Sequence, residues 1–135
     1  MKPKLTKFNK YFRPKIKNKH KISKVLYTAG IICMEPSFIT DIQLQSIILT
    51  LKRVLKRRGK IILRVFPHQS ITKKPIQTRM GKGKGSIYKW LQPIKAGSII
   101  LEINLKSNAS EILAINALKS IETKLPFKCK VIAYK

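Results

Sequence analysis

Leu44, Ile47, Ile48, Leu51, Val54 and Leu55 recur at intervals of three and four, which lays one apolar stripe along a helix. Thr40 with Gln43 three residues on forms a capping box at its start, and Asp41 sits in the first turn where the helix dipole favours negative charge. Lys52, Arg53, Lys56, Arg57 and Arg58 crowd the last turns and Gly59 suits the position just beyond, so the pattern predicts a helix over about residues 41–58. A second apolar series, Ile112, Leu113, Ile115, Leu118, Ile121 and Leu125, predicts another helix that runs to Pro126, with Asn108 as N-cap and Glu111 at the third position.

Between these helices the pattern changes to short runs rich in β-branched and aromatic residues, which predict strands. "VLYTAGIICME" at 25–35 is one, ended by Pro36, and "KIILRVF" at 60–66 is another, ended by Pro67. "IYKWLQPI" reads as a strand interrupted by Pro93, "GSIILEINL" as a turn and a strand, and "KCKVIAY" as a last strand with Val131 and Ala133 on one face. The long stretch from Pro67 to Ser86 reads as irregular, with Ile71 and Ile76 as a possible short strand inside it. Loops of that length inside a compact domain are uncommon and usually functional. The order β-α-β-β-β-α-β predicts an α+β fold: a mostly antiparallel sheet sandwich with two helices packed on one side. Residues 1–24 are expected to form an extended basic arm. Residues 25–135 are expected to be a single globular domain carrying a long basic loop at about 67–86.

Charge changes this picture from a plain domain to one that requires a partner. The 135 residues hold 30 Lys and Arg against 5 Asp and Glu, a net charge of +25. So many like charges repel one another and call for a polyanion, either nucleic acid or an anionic membrane. No acid occurs before Glu35 or between Asp41 and Glu102. Such an extensive basic surface is the electrostatic footprint of a nucleic-acid binder. In the arm, lysines alternate with Phe8, Tyr11 and Phe12, which suits phosphates and unstacked bases of RNA respectively. A membrane-active cationic protein would need an amphipathic basic helix with an aromatic face, and the first helix has no such face. No run of about 18 apolar residues is present to span a membrane, and "MKPKLTKFNKYF" lacks the apolar region of a secretory signal.

"TRMGKGKGS", residues Thr78 to Ser86, is the natural candidate for phosphate chemistry. Its glycines at 81, 83 and 85 sit two apart, which fits neither the Walker A spacing nor the dinucleotide-binding pattern. The absence of acids from 42 to 101 also removes a Mg²⁺ ligand that a nucleotide enzyme needs. A glycine-rich basic loop can instead bring backbone N–H groups and the side chains of Arg79, Lys82 and Lys84 along an RNA backbone without reading bases. His20 and His68 have no acidic or cysteine neighbours in sequence, and Cys33 and Cys129 show no metal spacing and read as small buried hydrophobes. Five scattered acids assemble no catalytic set, so no enzyme activity, metal, cofactor or small-molecule substrate is expected.

"GKIILRVFPHQSITKKPIQTRMGKGKGS" resembles the central signature of bacterial-type large-subunit ribosomal protein sixteen, the L-sixteen family. The resemblance extends through Glu35, Pro36, Ile39 and Thr40, the opening "PKLTKFNK", and downstream Trp90, Gly97, Glu102, Ala114, Ala117 and "KLP" at 124–126. It implies a structural protein of the large ribosomal subunit that binds large-subunit ribosomal RNA near the aminoacyl-tRNA site. It also implies a part in positioning the aminoacyl-site tRNA, neighbouring ribosomal proteins, and a role in late subunit assembly. Carried over by position, Arg79, Met80, Gly81, Lys82, Gly83, Lys84 and Gly85 form the loop facing tRNA. Lys4, Lys7, Lys10, Arg53, Arg57, Lys60 and Arg64, with Arg79, Lys82 and Lys84, are the expected RNA-binding set. Ile42, Ile48 and Leu49 stand where the family usually carries arginine, Gln45 where Glu is frequent, and Ile115 and Asn116 where basic residues are common. An apolar patch around Ile48 and Leu49 would then face an extra protein neighbour. The Lys-, Ile- and Asn-heavy usage points to an AT-rich genome and a mitochondrial ribosome, with a plastid or a bacterial cytoplasm as alternatives. A free-standing RNA chaperone or nucleic-acid-binding module is the competing function; co-sedimentation with the large subunit separates the two.

Overall fold

The structure, a computed structural model, describes residues 2–16, 24–106 and 110–133. Its elements run β1 (Ala29–Cys33), β2 (Ser37–Thr40), α1 (Asp41–Leu55), β3 (Gly59–Leu63), β4 (Gln69–Lys73), β5 (Ser86–Ile94), β6 (Ile99–Leu105), α2 (Glu111–Glu122) and β7 (Cys129–Ala133). A four-stranded sheet has the order β3-β6-β1-β7 and a three-stranded sheet the order β2-β5-β4. Every pairing is antiparallel. The α+β class with two helices therefore holds.

β1 is buried along its whole length because both of its faces are covered. Ala29, Ile31 and Cys33 join Leu101 and Ile103 of β6 and the buried stripes of both helices in one core. Ile32, on the other face, packs with Val25, Ile99 and Ile132. Both helices thus lie on one face of the four-stranded sheet.

The expected capping box opens α1: the Gln43 amide donates to Thr40 Oγ1 and the Thr40 amide to Gln43 Oε1. Its buried stripe is Leu44, Ile47, Leu51 and Leu55, whereas Val54 is exposed. The helix ends at Leu55, short of the expected 58, because Lys56 and Arg57 both adopt left-handed conformations. Gly59 is not the helix cap but the first residue of β3. A Cβ there would lie 3.0 Å from both Asn104 O and Leu105 Cδ2, so the glycine serves close strand contact.

Several other expectations are corrected. The strand expected over 25–35 is confined to Ala29–Cys33, and after Pro36 a short strand, β2, pairs with β5. Pro93 does not interrupt β5, because pairing with β4 ends at Leu91 and only β2 flanks the proline. The stretch 67–86 is not irregular throughout: β4 and β5 make a hairpin whose connection is residues 74–85. Ile71 lies in β4 as expected, while Ile76 is exposed in a turn.

For the second helix, Ser110 rather than Asn108 is the N-cap, and the helix ends at Glu122 rather than near Pro126. Its buried face is Ala114, Ala117, Leu118 and Ile121, at three- and four-residue spacing, while Ile112 is exposed. Asn108, His20 and Tyr134, and the arm lysines at 17, 19 and 21, lie outside the described residues.

Candidate nucleic-acid interface

All ten basic side chains expected to meet RNA are exposed, and the fold sorts them into separate places. The first is built from the arm and the β4–β5 hairpin. Residues 2–16 have no helix or strand of their own. They are held by contacts to the hairpin: Ser70 Oγ, itself buried, donates to Asn9 O at 2.7 Å. Lys10 Nζ donates to Lys84 O at 3.0 Å, and Lys84 Nζ donates back to Tyr11 O at 2.8 Å. The same Lys84 ammonium lies 4.5 Å from the Phe12 ring centroid. This reciprocal clasp brings Lys10 beside the loop that carries Arg79 and Lys82. Lys4 and Lys7 lie farther along the arm, with Lys7 Nζ 5.6 Å from the Phe8 centroid.

The hairpin tip owes its shape to its glycines. Gly81, Lys82 and Gly83 have φ of 92°, 54° and 81°, three consecutive left-handed residues. Nothing stands within 4 Å of a Cβ at Gly81 or Gly83, so these glycines answer a conformational need and leave the backbone open on that side. Gly85 answers a need for space, since its Cβ would lie 2.6 Å from Lys73 O. Lys74 Nζ reaches across the turn to donate to Gly81 O. Exposed aromatic rings flank the cations: Phe8 and Phe12 on the arm, and Tyr88 on β5 with the Lys73 and Lys89 ammonium groups 5.2 Å and 4.9 Å from its centroid. Cations spaced along a backbone-exposed loop, with ring faces between them, can engage phosphates and stack bases at once.

The second place is the junction of α1 and β3. Arg57 and Lys60 line a groove there together with Lys52 and Lys106. Arg53 stands nearby on the exposed side of the last turn of α1. Arg64 belongs to neither group: its Nε donates to the buried carboxylate of Glu102 at 2.9 Å. His68 Nδ1 sits 2.7 Å from Gln92 Oε1, a contact between side chains on the three-stranded sheet and its border.

Sequence reasoning missed several contributors. Arg13 stacks 4.7 Å from the Phe38 ring centroid, which fixes the far end of the described arm against β2. Lys74 supports the hairpin tip. Lys106 reaches the α1–β3 groove only because β6 pairs with β3. The spacing of Lys74 to Gly81 becomes readable once β4 is placed; the other two depend on contacts far apart in sequence. Among the described residues no group of His, Cys, Asp or Glu could hold a metal ion, and no helix is long and apolar enough to cross a membrane.

The family model described as ribosomal protein L16p/L10e matches residues 2–132. The chain is 36% identical over 132 residues to the large ribosomal subunit protein uL16 of Phytoplasma australiense, covering 96% of this chain and 94% of the relative. It is 38% identical over 134 residues to uL16 of Ureaplasma parvum serovar 3, covering 98% and 95%. It is 39% identical over 132 residues to uL16 of Fusobacterium nucleatum, covering 96% and 90%.

Proposed function

This chain belongs to the ribosomal protein L16p/L10e family and is a structural constituent of the large ribosomal subunit, not an enzyme; from that premise we propose that it binds large-subunit ribosomal RNA and helps position tRNA at the aminoacyl site. The observation that carries this reading is the clasp between Lys10 and Lys84, which makes arm and hairpin one basic surface. No acidic residue lies in either segment to offset the charge. Phosphate contacts from such a surface fix position and orientation rather than sequence. The Arg79–Gly85 tip, open on its glycine side, is the part that faces tRNA, and the arm, with Arg53 outside the α1–β3 groove, faces ribosomal RNA. By tying RNA segments together through one domain, the protein also supports late assembly of the subunit. The compartment is the mitochondrial ribosome on the AT-rich residue usage; the relatives named above are bacterial, and a bacterial cytoplasm or a plastid is the alternative.

The experiment is reconstitution of large subunits with wild-type protein or with Arg79→Ala combined with Lys82→Ala. The double variant is expected to fold and join the particle but to lower aminoacyl-site tRNA binding, because exposed surface changes seldom cost more than about 0.5 kcal/mol of stability. Equal losses of thermal stability and of tRNA binding would contradict it. Release of the wild-type protein into the soluble pool at low salt would favour the free-standing nucleic-acid module instead.

A further inference from the structure

We infer that the groove between α1 and β3 takes an extended acidic segment of a neighbouring protein, which adds as a strand to the free edge of β3. The groove has a volume of about 910 Å³. Its floor is apolar: Ile48 and Leu55 from α1, Ile61 and Leu63 from β3, and Leu105 from β6. Ile61, Leu63 and Leu105 are only partly covered by the core they border. Its rim carries the cations Lys52, Arg57, Lys60 and Lys106, and no acidic side chain lines it.

These two features together select the occupant. An RNA backbone would satisfy the rim but has no apolar groups to lay on the floor. A second copy of this chain would bring its own +25 charge against four cations. A segment alternating acidic and apolar residues satisfies both requirements. β3 is the outermost strand of the order β3-β6-β1-β7, so among the described residues no strand pairs with its other side. Edge backbone groups of this kind are a template for an added strand, whose alternate side chains then fall on opposite faces. Apolar residues of the incoming strand would continue the Ile61–Leu63 face onto the floor below Lys52, its acidic residues on the opposite face would meet Lys60, and an acidic residue at the segment's end would reach Lys52. The placement in the large subunit enters only in naming the partner as a ribosomal neighbour; the binding chemistry stands on the groove itself.

The test uses the purified full chain, a fluorescently labelled, end-capped peptide of alternating Glu and Val, an oligoglutamate of equal length and a short RNA duplex. The Glu/Val peptide is expected to bind about tenfold more tightly than oligoglutamate and to slow amide exchange across residues 59–63. Ile48→Glu and, separately, Lys52→Glu should each weaken it about tenfold, with Lys52→Glu, an exposed change, guarding against a folding defect in the other. Equal binding of oligoglutamate would reduce the groove to a non-specific cation cluster and overturn the inference. So would stronger protection of 59–63 by the RNA duplex, or peptide binding indifferent to both variants. Because this assay contains no ribosome, loss of tRNA positioning in the Arg79 and Lys82 variant and loss of peptide binding are separate results.

Discussion

Arg64 Nε donates to Glu102 Oε1 at 2.9 Å, and the acceptor side chain is fully buried while the arginine side chain is 37% exposed. Glu102 Oε2 also accepts the Leu26 amide at 3.3 Å. The arginine expected to serve RNA thus neutralises a carboxylate set between the sheets. Removing one partner of a buried pair leaves the other charge uncompensated, which is the costly way to break it. Arg64→Met is expected to lower stability by about 2 kcal/mol, below the fully buried range because the arginine is partly solvated. Glu102→Gln, which keeps an acceptor for Leu26, should cost less. Urea unfolding measures both. An unchanged midpoint in Arg64→Met would contradict a stabilising role for the pair, and weakened RNA binding in the same variant would show that Arg64 also serves RNA.

Cys33 and Cys129 face each other in register on β1 and β7. Burial, then the charge of Glu122 and the neighbouring Cys33, pushes the Cys129 thiol up from 9.0 to about 11. Burial likewise raises Cys33, against a backbone hydrogen bond with Glu35 that lowers it. The thiolate is the reactive form, so in the folded protein at pH 8 both thiols should alkylate much more slowly than in denaturant. The folded state keeps its proton where the unfolded state has lost it. The stability contributed is therefore complete below pH 9 and declines as pH rises towards about 11. The stability difference between wild type and Cys129→Ala, followed by urea unfolding, should shift against wild type across that window. A difference independent of pH would contradict the assignment.

What could be read from the sequence was what local physics decides. Thr40, Gln43 and the Leu44–Leu55 stripe specify α1 within one segment, and the structure keeps the capping box and the stripe's Leu44, Ile47, Leu51 and Leu55. The end of α1 was misread because Gly59 satisfies a local helix-stop signal, while its actual role is contact with Asn104 and Leu105 across a strand pair. β2 is four residues beside a proline, too short to show alternation, and exists because β5 pairs with it. β4 was hidden in an apparent loop for the same reason. In the candidate interface, residue type and charge were legible, so Lys10 and Lys84 were both singled out. Their mutual clasp, 74 positions apart, was not, because it depends on where the arm crosses the hairpin. The groove cations Lys52 and Lys106 do not show as a pair in the sequence, because α1 must pack on β3 and β6 must pair with β3 to bring them together.

The three loop glycines should separate by mechanism when each is changed to alanine. Gly81→Ala and Gly83→Ala keep open space but place a Cβ on a left-handed residue, at a cost of about 1 kcal/mol each. Gly85→Ala drives a Cβ to within 2.6 Å of Lys73 O and 2.9 Å of Lys74 N, backbone atoms that move only if the hairpin register moves. Amide exchange over β4 and the start of β5 should therefore rise in Gly85→Ala and remain near wild type in the other two. Equal exchange in all three would mean that the hairpin yields at Gly85 without loss of pairing.

Lys84 is expected to act as a latch as well as a phosphate contact. Lys84→Met keeps a stem against Phe12 but removes the donor to Tyr11 O, while the Lys10 bond to the backbone of residue 84 remains possible. A lysine that only met phosphate would, on removal, reduce the salt dependence of RNA binding by about 0.9 in the log–log slope. A latch that also holds the arm should reduce it by more, because Lys4, Lys7 and Lys10 lose their fixed place beside the hairpin. Exchange of the amides of residues 8–13 should rise in parallel in the free protein, where no RNA contact can contribute. If the slope falls by a single contact and arm exchange is unchanged, Lys84 binds phosphate and the arm is held by Ser70, Arg13 and the Lys10 bond without it.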